Sequence, residues 1–327
     1  MKYQGTDLDI VENETVLDTL LRHKKEVSYS CLSGLCQSCL LHAVKGDVSP
    51  DAKNGLTGTA ITRNHFLACQ QPASTIDSVA DIDLNALFSH AVVVEKSLYA
   101  ADVLCIKLEP VNPHYYHAGQ FINIRNSQGD VRSYSIANLP ATEPFIELHI
   151  QRIAKGKLST WLFDMVNLGD IIEFQGALGH CFYVPDSSNI DNDLMLIGTG
   201  TGAAPLIGIA KDALHAKHKG DIHFYHGVRT IESLYLHQQL TNLEEQYPNF
   251  YYYPCLSGEV NGEEKSLAFY YMNYGRASDI ALEAISSPST TQLFLCGNPN
   301  MVNATRKMAL LSGISSQNIN TDPFDHI

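Results

Sequence analysis

The stretch CLSGLCQSC, residues 31–39, places three cysteines in the spacing C-x4-C-x2-C. A fourth, Cys69, follows after a further 29 residues, in FLACQQP. The other four of the eight cysteines lie singly, at Cys105, Cys181, Cys255 and Cys296. Eight cysteines in 327 residues are too few for a disulfide scaffold, yet three of them fall within nine residues. The N-terminal part of the chain therefore gathers its cysteines for a site.

The spacing of these four cysteines, Cys31, Cys36, Cys39 and Cys69, matches the ligand pattern of a plant-type [2Fe–2S] cluster. A short loop that wraps such a cluster must turn tightly, and Gly34 can adopt a positive φ without steric cost. A structural zinc site is the alternative, because four thiolates also suit tetrahedral zinc. Zinc ribbons usually pair two C-x2-C knuckles, whereas this chain has one. The spacing therefore favours the iron–sulfur cluster.

The chain divides into three segments with different patterns, residues 1–85, 86–188 and 189–327. In the first, Thr15 and Asp18 form a capping-box pattern ahead of an apolar helical face, and the cysteine loop follows. The second has short β-type runs between turn residues, which predicts an antiparallel barrel. The third alternates buried-type runs with helical stretches, which predicts a parallel sheet. We predict a multidomain protein with α+β, antiparallel β-barrel and α/β parts.

Composition and charge exclude several classes of protein. The chain has 22 Lys and Arg against 35 Asp and Glu, so it lacks the basic surplus that nucleic acids and anionic membranes attract. The longest weakly polar run, residues 194–210, carries four glycines and a proline, which argues against a membrane span. The N-terminus shows no apolar run typical of a signal peptide. We expect a cytoplasmic protein without a nucleic-acid or membrane partner.

Two further motifs have the residue types that bind nucleotides. In RSYS, Arg132 and Tyr134 lie on one face of a strand, where they offer a fork for pyrophosphate and a ring for stacking; an ordinary strand explains them equally well. GTGTGAAP, residues 198–205, lies between an apolar run and a helical one, as a nucleotide-binding turn does. Ala203 breaks the G-x-G-x-x-G pattern, and an ordinary glycine-rich loop is the alternative. The fourteen histidines show no metal-ligand spacing.

Taken in order, the cysteine motif, RSYS, GKLS (residues 156–159), GTGTGAAP and CGNP (residues 296–299) resemble the ferredoxin–NAD(P)H reductase superfamily. The sequence is most similar to reductase components with an N-terminal plant-type ferredoxin domain. Such proteins serve ring-hydroxylating dioxygenases, phenol and methane monooxygenases, and the reduction of a CDP-linked deoxysugar. The resemblance covers essentially the whole chain. It implies a β-grasp ferredoxin domain at 1–85, an FAD-binding barrel at 86–188 and an NAD(P)H-binding domain at 189–327.

The resemblance also implies site residues. It implies that two segments contact the flavin: Arg132, Ser133, Tyr134 and Ser135, and Gly156, Lys157, Leu158 and Ser159. It implies that the nicotinamide nucleotide is bound by Gly200, Thr201, Gly202, Pro205, Arg229, Cys296 and Gly297. Ser135, near the reactive flavin nitrogen, and Cys296, beside the nicotinamide, are the implied catalytic residues. Phe324 corresponds to an aromatic residue that stacks on the flavin, although the tail TDPFDHI departs from the usual ending.

These parts together imply electron transfer from NADH to FAD, to the [2Fe–2S] cluster and on to a protein partner such as an oxygenase or dehydratase component. NADH is favoured over NADPH because Ser257, Gly258 and Glu259 follow the third predicted strand of the last segment without a basic residue. Two other classes remain open: a flavin reductase that releases reduced flavin, and a zinc-bearing nucleotide-binding module.

Overall fold

The strands of the protein form three sheets, one in each third of the chain. The structure, a computed structural model, describes residues 1–82, 87–186, 189–258 and 272–324. The predicted domain boundaries after residues 85 and 188 lie outside these ranges and stay predictions. Within the described part of the chain, no helix is both long and apolar enough to span a membrane.

The N-terminal sheet has the order β2-β1-β5-β3-β4, with β1 parallel to β5 and the other neighbours antiparallel. Its strands are β1 (Lys2–Tyr3), β2 (Thr6–Asp7), β3 (Leu40–Gly46), β4 (His65–Leu67) and β5 (Ile76–Ala80). Its helices are α1 (Val16–Arg22) and α2 (Gly58–Thr62).

Helix α1 positions the fourth cysteine of the motif. The capping box is confirmed, because the Thr15 hydroxyl accepts from the Asp18 amide and the Asp18 carboxylate accepts from the Thr15 amide. The amide of Leu17 donates to the carbonyl of Ala68 at 3.0 Å. The first turn of α1 is thereby fixed against the segment that carries Cys69.

The middle sheet has six antiparallel strands in the order β10-β7-β6-β11-β8-β9. They are β6 (Ser89–Ala100), β7 (Val103–Pro110), β8 (Phe121–Arg125), β9 (Val131–Ser135), β10 (Ile146–Gln151) and β11 (Ile171–Leu178). The two edge strands meet beyond the end of β9, where Ile136 bridges Leu148. Helix α3 (Lys157–Asp164) follows β10. The sheet therefore closes on itself, which agrees with the predicted barrel.

The last sheet is parallel throughout, in the order β15-β14-β13-β12-β16-β17. Its strands are β12 (Leu194–Thr199), β13 (Ile222–Val228), β14 (Phe250–Leu256), β15 (Asn273–Tyr274), β16 (Gln292–Gly297) and β17 (Ile319–Pro323). The described helices around it are α4 (Ala203–His215), α5 (His237–Gln246), α6 (Ala277–Glu283) and α7 (Pro299–Leu311). The strand order reverses between β12 and β16, and ligands of open α/β sheets bind at such a reversal.

The barrel lies between the other two sheets and contacts both. Asn123 of β8 donates its amide hydrogen to the carbonyl of Cys36 at 2.7 Å, in a fully buried hydrogen bond. On the other side, the Ser135 hydroxyl donates to a carboxylate oxygen of Asp322 in β17 at 2.7 Å. The cysteine loop and the parallel sheet are therefore both held against the same barrel.

We expect the substitution Asn123→Ala to loosen the cysteine loop. The Cys36 carbonyl would lose a buried partner, and an unsatisfied buried group costs about 1–3 kcal/mol. Amide hydrogen exchange of residues 31–39 in the holoprotein should therefore rise by about fivefold or more. Asn303→Ala, on the exposed side of α7, is the matched control and should leave exchange of the loop unchanged. Equal loop exchange in wild type and Asn123→Ala would contradict this account.

Candidate flavin and iron–sulfur site

A cavity of about 960 Å³ lies where the three parts of the protein meet. Its lining brings together predicted residues from five separate segments: Cys31 and Cys36; Arg132, Ser133, Tyr134 and Ser135; Gly156, Lys157, Leu158 and Ser159; Thr201; and Phe324. The other predicted nucleotide contacts, Gly200, Gly202, Pro205, Arg229, Cys296 and Gly297, are not part of its described lining. The cavity is as large as the sites that hold drug-sized or larger ligands.

The cysteine loop turns through three residues with positive φ, which are Leu32, Gly34 and Gln37. This path points backbone N–H groups at sulfur. The Sγ of Cys31 accepts from the amides of Leu35 and Cys36, each at 3.3 Å, and the Sγ of Cys36 accepts from the amide of Cys31 at 3.4 Å. Amide hydrogen bonds to sulfur stabilise thiolate ligands and tune cluster potentials.

The four sulfur atoms of the motif form two pairs. A hydrogen bond from Cys36 lowers the pKa of Cys31 to about 4, and one from Cys39 lowers the pKa of Cys69 to about 7. No three of the four sulfur atoms lie within 4.8 Å of one another. Four thiolates on a single zinc ion would lie about 3.8 Å apart, given Zn–S bonds of about 2.3 Å. Two separated pairs fit a cluster with two iron atoms, each taking two thiolates.

The flavin end of the cavity is formed by β9 and the start of α3. Tyr134 of β9 lines the cavity, and burial raises its pKa. Helix α3 begins after Gly156, and its first amides can bind a phosphate group. A Cβ added at Gly156 would lie 2.7 Å from the Ser159 hydroxyl and 2.9 Å from the Ile153 Cβ, so this turn has no room for a side chain. Such a ring and such a turn fit a flavin and its pyrophosphate.

The other end of the cavity is formed by Thr201, which follows β12, and by Asp322 and Pro323 of β17. Gly202 packs so closely against β16 that an added Cβ would collide with the carbonyl oxygen of Cys296. Cys296 is buried and pairs in register with Asp322 of β17. Because Asp322 accepts from Ser135, the two predicted catalytic residues meet through a third residue that the sequence analysis missed. The only sequence signal for Asp322 was its place two residues before Phe324.

Family models match the chain in three successive segments. Residues 2–74 match the 2Fe-2S iron-sulfur cluster binding domain, residues 90–183 the oxidoreductase FAD-binding domain, and residues 196–307 the oxidoreductase NAD-binding domain. The chain belongs to the ferredoxin–NAD(P)H reductase superfamily. It is an NAD(P)H-dependent iron–sulfur flavoprotein reductase, as its resemblance to this superfamily implied.

Full-length relatives support this assignment. The reductase is 29% identical over 331 residues to the reductase subunit of an aromatic O-demethylase from Amycolatopsis sp., covering 98% of this chain and 96% of that protein. It is 26% identical over 323 residues to the CDP-6-deoxy-L-threo-D-glycero-4-hexulose-3-dehydrase reductase of Yersinia pestis, covering 95% and 93%. A crystal structure of an Amycolatopsis cytochrome P450 reductase superposes with a TM-score of 0.69 at 28% identity, covering 99% and 98%.

The carboxyl ends of β13 and β14 continue the edge of the parallel sheet beyond β12. Arg229 follows β13 and is exposed, and Gly258 packs directly on its carbonyl. Glu259, which contributed to the expectation of NADH, lies outside the described residues. The sequence analysis missed a basic residue at this edge, Arg276, which is exposed at the start of α6. The preceding residue, Gly275, donates its amide hydrogen to the carbonyl of Leu256 at the end of β14. Arg276 follows a strand that only the sheet order places beside β14.

A buried polar cluster at the interface of the barrel and the parallel sheet was also missed. Cys105 of β7 and Glu147 and His149 of β10 bring three potential ligand atoms within 4.8 Å of one another. His149 Nε2 lies 2.9 Å from the Glu147 carboxylate, and its Nδ1 lies 3.1 Å from the Tyr235 hydroxyl of the NAD-binding part. Through these hydrogen bonds the cluster joins the barrel to the parallel sheet.

We expect Cys39→Ser to remove the cluster and leave the flavin site intact. A serine hydroxyl replaces one of four thiolates, so iron content and the EPR signal of the reduced [2Fe–2S] centre should fall to background. FAD content and NADH-driven reduction of ferricyanide, which takes electrons from the flavin, should stay near wild type. Cys255→Ser, at a buried cysteine of the parallel sheet, is the matched control and should retain its iron. Full iron content in Cys39→Ser would contradict the ligand assignment.

We expect Gly156→Ala to weaken FAD binding, because the added methyl group pushes against Ser159 and Ile153 at the start of α3. Overpacking of this kind costs about 1–3 kcal/mol, which corresponds to a roughly fivefold or greater rise in the FAD dissociation constant. Gly58→Ala is the control, because a Cβ there has no neighbour within 4 Å. The measurement is FAD release followed by fluorescence; equal affinities in the two variants would argue against a phosphate turn at Gly156.

Proposed function

We propose that the reductase transfers electrons from NADH through FAD and its [2Fe–2S] cluster to a separate electron-accepting protein. One observation carries the proposal: a single cavity is bordered by two cluster ligands, Cys31 and Cys36, by the flavin segments of β9 and α3, and by Asp322 of the nucleotide-binding sheet. Two cluster ligands, the flavin segments and the nucleotide-binding sheet therefore border one continuous cavity. A flavin reductase that releases its flavin has no need of the cluster ligands beside it.

Within this function, the residues around the cavity have distinct roles. FAD, when bound, accepts two electrons as a hydride and can release them singly, as a one-electron cluster requires. Arg132 and the α3 turn bind the phosphates, and Tyr134 covers the ring system. Ser135, held by Asp322 at 2.7 Å, and Cys296, one strand away from the turn at Thr201, align the nicotinamide with the flavin.

The partner is an oxygenase or hydroxylase component, or the dehydratase component of a deoxysugar pathway. Both kinds of system occur among the relatives, as the aromatic O-demethylase reductase subunit and the CDP-deoxyhexulose dehydrase reductase show by their names. Leu32 and Leu35 of the cysteine loop are 45% and 41% exposed, although they flank the cluster ligands. Apolar side chains at this position would contact a partner that receives electrons. The reduced thiols of the motif suit the cytoplasm.

An anaerobic titration with NADH tests the whole route. We expect the flavin absorbance to bleach and the EPR signal of a reduced [2Fe–2S] centre to appear in the same titration, because the cavity joins the two sites. In Cys39→Ser the flavin absorbance should bleach, but the EPR signal of the cluster should not appear. Bleaching of the flavin in wild type without a cluster signal, together with zinc or no metal by elemental analysis, would replace this function with that of a flavin reductase.

We expect NADH to be preferred over NADPH by about tenfold or more in kcat/KM, which corresponds to about 1.4 kcal/mol. The described residues that follow β14 are Ser257 and Gly258, which offer no charge to a 2′-phosphate. Arg276→Gln tests an exposed basic residue at this edge of the sheet and should leave the ratio unchanged. A preference for NADPH that Arg276→Gln abolishes would overturn the NADH assignment and make Arg276 the phosphate anchor.

A further inference from the structure

Two cysteines outside the cluster motif meet at the interface of the barrel and the parallel sheet. Cys181 lies in residues 179–186, which leave the barrel after β11 without regular secondary structure, and Cys296 lies in β16. Their sulfur atoms are 3.7 Å apart. Cys181 is 3% exposed and Cys296 is fully buried. The contact is unusual because the two thiols come from different parts of the protein and one of them, Cys296, is a predicted catalytic residue.

Each cysteine alone would fit the apolar core that surrounds the pair, where free cysteine commonly packs as a small hydrophobic residue. Packing does not require the two sulfur atoms to face each other. An S–S bond is about 2.05 Å long, so the atoms need to approach by about 1.7 Å. Cys296 is held in a strand that is hydrogen-bonded on both sides, whereas Cys181 lies in an irregular segment that can supply this movement.

We propose that Cys181 and Cys296 form a reversible disulfide that switches off NADH oxidation; this rests on the proposed function of Cys296. The oxidant is hydrogen peroxide. The Cys181 sulfur attacks one peroxide oxygen, the O–O bond breaks, and a sulfenic acid and one water form. The Cys296 sulfur then attacks the Cys181 sulfur and displaces the hydroxyl group as a second water. Two thiols lose two electrons and two protons in total, and the peroxide is reduced to two waters.

The surroundings of the pair set the order of these steps. Burial, the contact with Cys181 and the carboxylate of Asp322 raise the pKa of the Cys296 thiol, so it stays protonated while Cys181 reacts first. Cys181 is slightly exposed whereas Cys296 is fully buried, so a small oxidant reaches the Cys181 sulfur first. The disulfide would turn the Cys296 sulfur toward Cys181 and away from Asp322, while the backbone of Cys296 stays in its strand. It would also fasten the segment that leaves the barrel to the carboxyl end of β16.

The experiment treats the holoenzyme with a concentration series of hydrogen peroxide and then removes the peroxide with catalase. NADH-dependent reduction of ferricyanide is measured, since this assay does not depend on the cluster. We expect the activity to fall roughly a hundredfold, because displacement of a reacting group by about 1 Å costs that much. Dithiothreitol should restore it. Mass spectrometry of an unreduced digest should find the peptides that contain Cys181 and Cys296 joined.

Cys181→Ser should keep its activity and form no cross-link under the same treatment, and Cys181→Ala is a second variant if serine disturbs folding. Cys255→Ser, at a buried cysteine elsewhere in the parallel sheet, should behave as wild type. The proposal fails if the treated wild-type protein shows no joined peptides, or if Cys181→Ser is inactivated equally. Untreated protein that does not oxidise NADH would instead refute the proposed function, whatever the digest shows.

Discussion

The barrel can contact both the cysteine loop and the parallel sheet because its own sheet closes. The bridge between Ile136 and Leu148 brings β9 beside β10, although these strands are the two edges of the sheet. Closure places RSYS at one rim of the barrel, with the start of α3 beside it. The cysteine loop docks on this barrel through Asn123, and the parallel sheet docks through Ser135. Without this rim, the cluster ligands and the nucleotide-binding turn would have no common cavity to border.

The electrostatics of the site follow from burial at these contacts. Amide groups directed at the sulfur of Cys31, with the hydrogen bond from Cys36, lower the pKa of that thiol to about 4. Behind the other end of the cavity, burial and the contact with Cys181 act in the opposite direction and raise the pKa of Cys296. Within each cysteine pair of the motif one thiol has a lowered pKa and its partner a raised one, whereas Cys296 keeps a neutral thiol. A neutral Cys296 adds no second negative charge beside the Asp322 carboxylate.

Much of this organisation could be predicted from short motifs. The spacing of Cys31, Cys36 and Cys39 and the capping box at Thr15 are local patterns, because the residues that make them are a few positions apart. The antiparallel and parallel sheets could likewise be predicted from how the strand-like runs alternate with turns in the middle segment and with helical stretches in the last. Asp322, Arg276 and the cluster around His149 could not. Each of these acts through a neighbour that is distant in the chain and is brought close only by strand order or domain docking.

The sequence by itself therefore determined the three kinds of domain and the superfamily and predicted the cluster ligands, because ligand spacing and hydrophobic period are local properties of the chain. Only the tertiary structure decided which residues share one cavity, and that Asp322 joins Ser135 at the hydride end. It also decided that Cys181, an unexplained residue of the sequence, lies 3.7 Å from Cys296. The physical reason is that such contacts depend on how closed sheets and domains dock, and docking has no local period that a sequence can display.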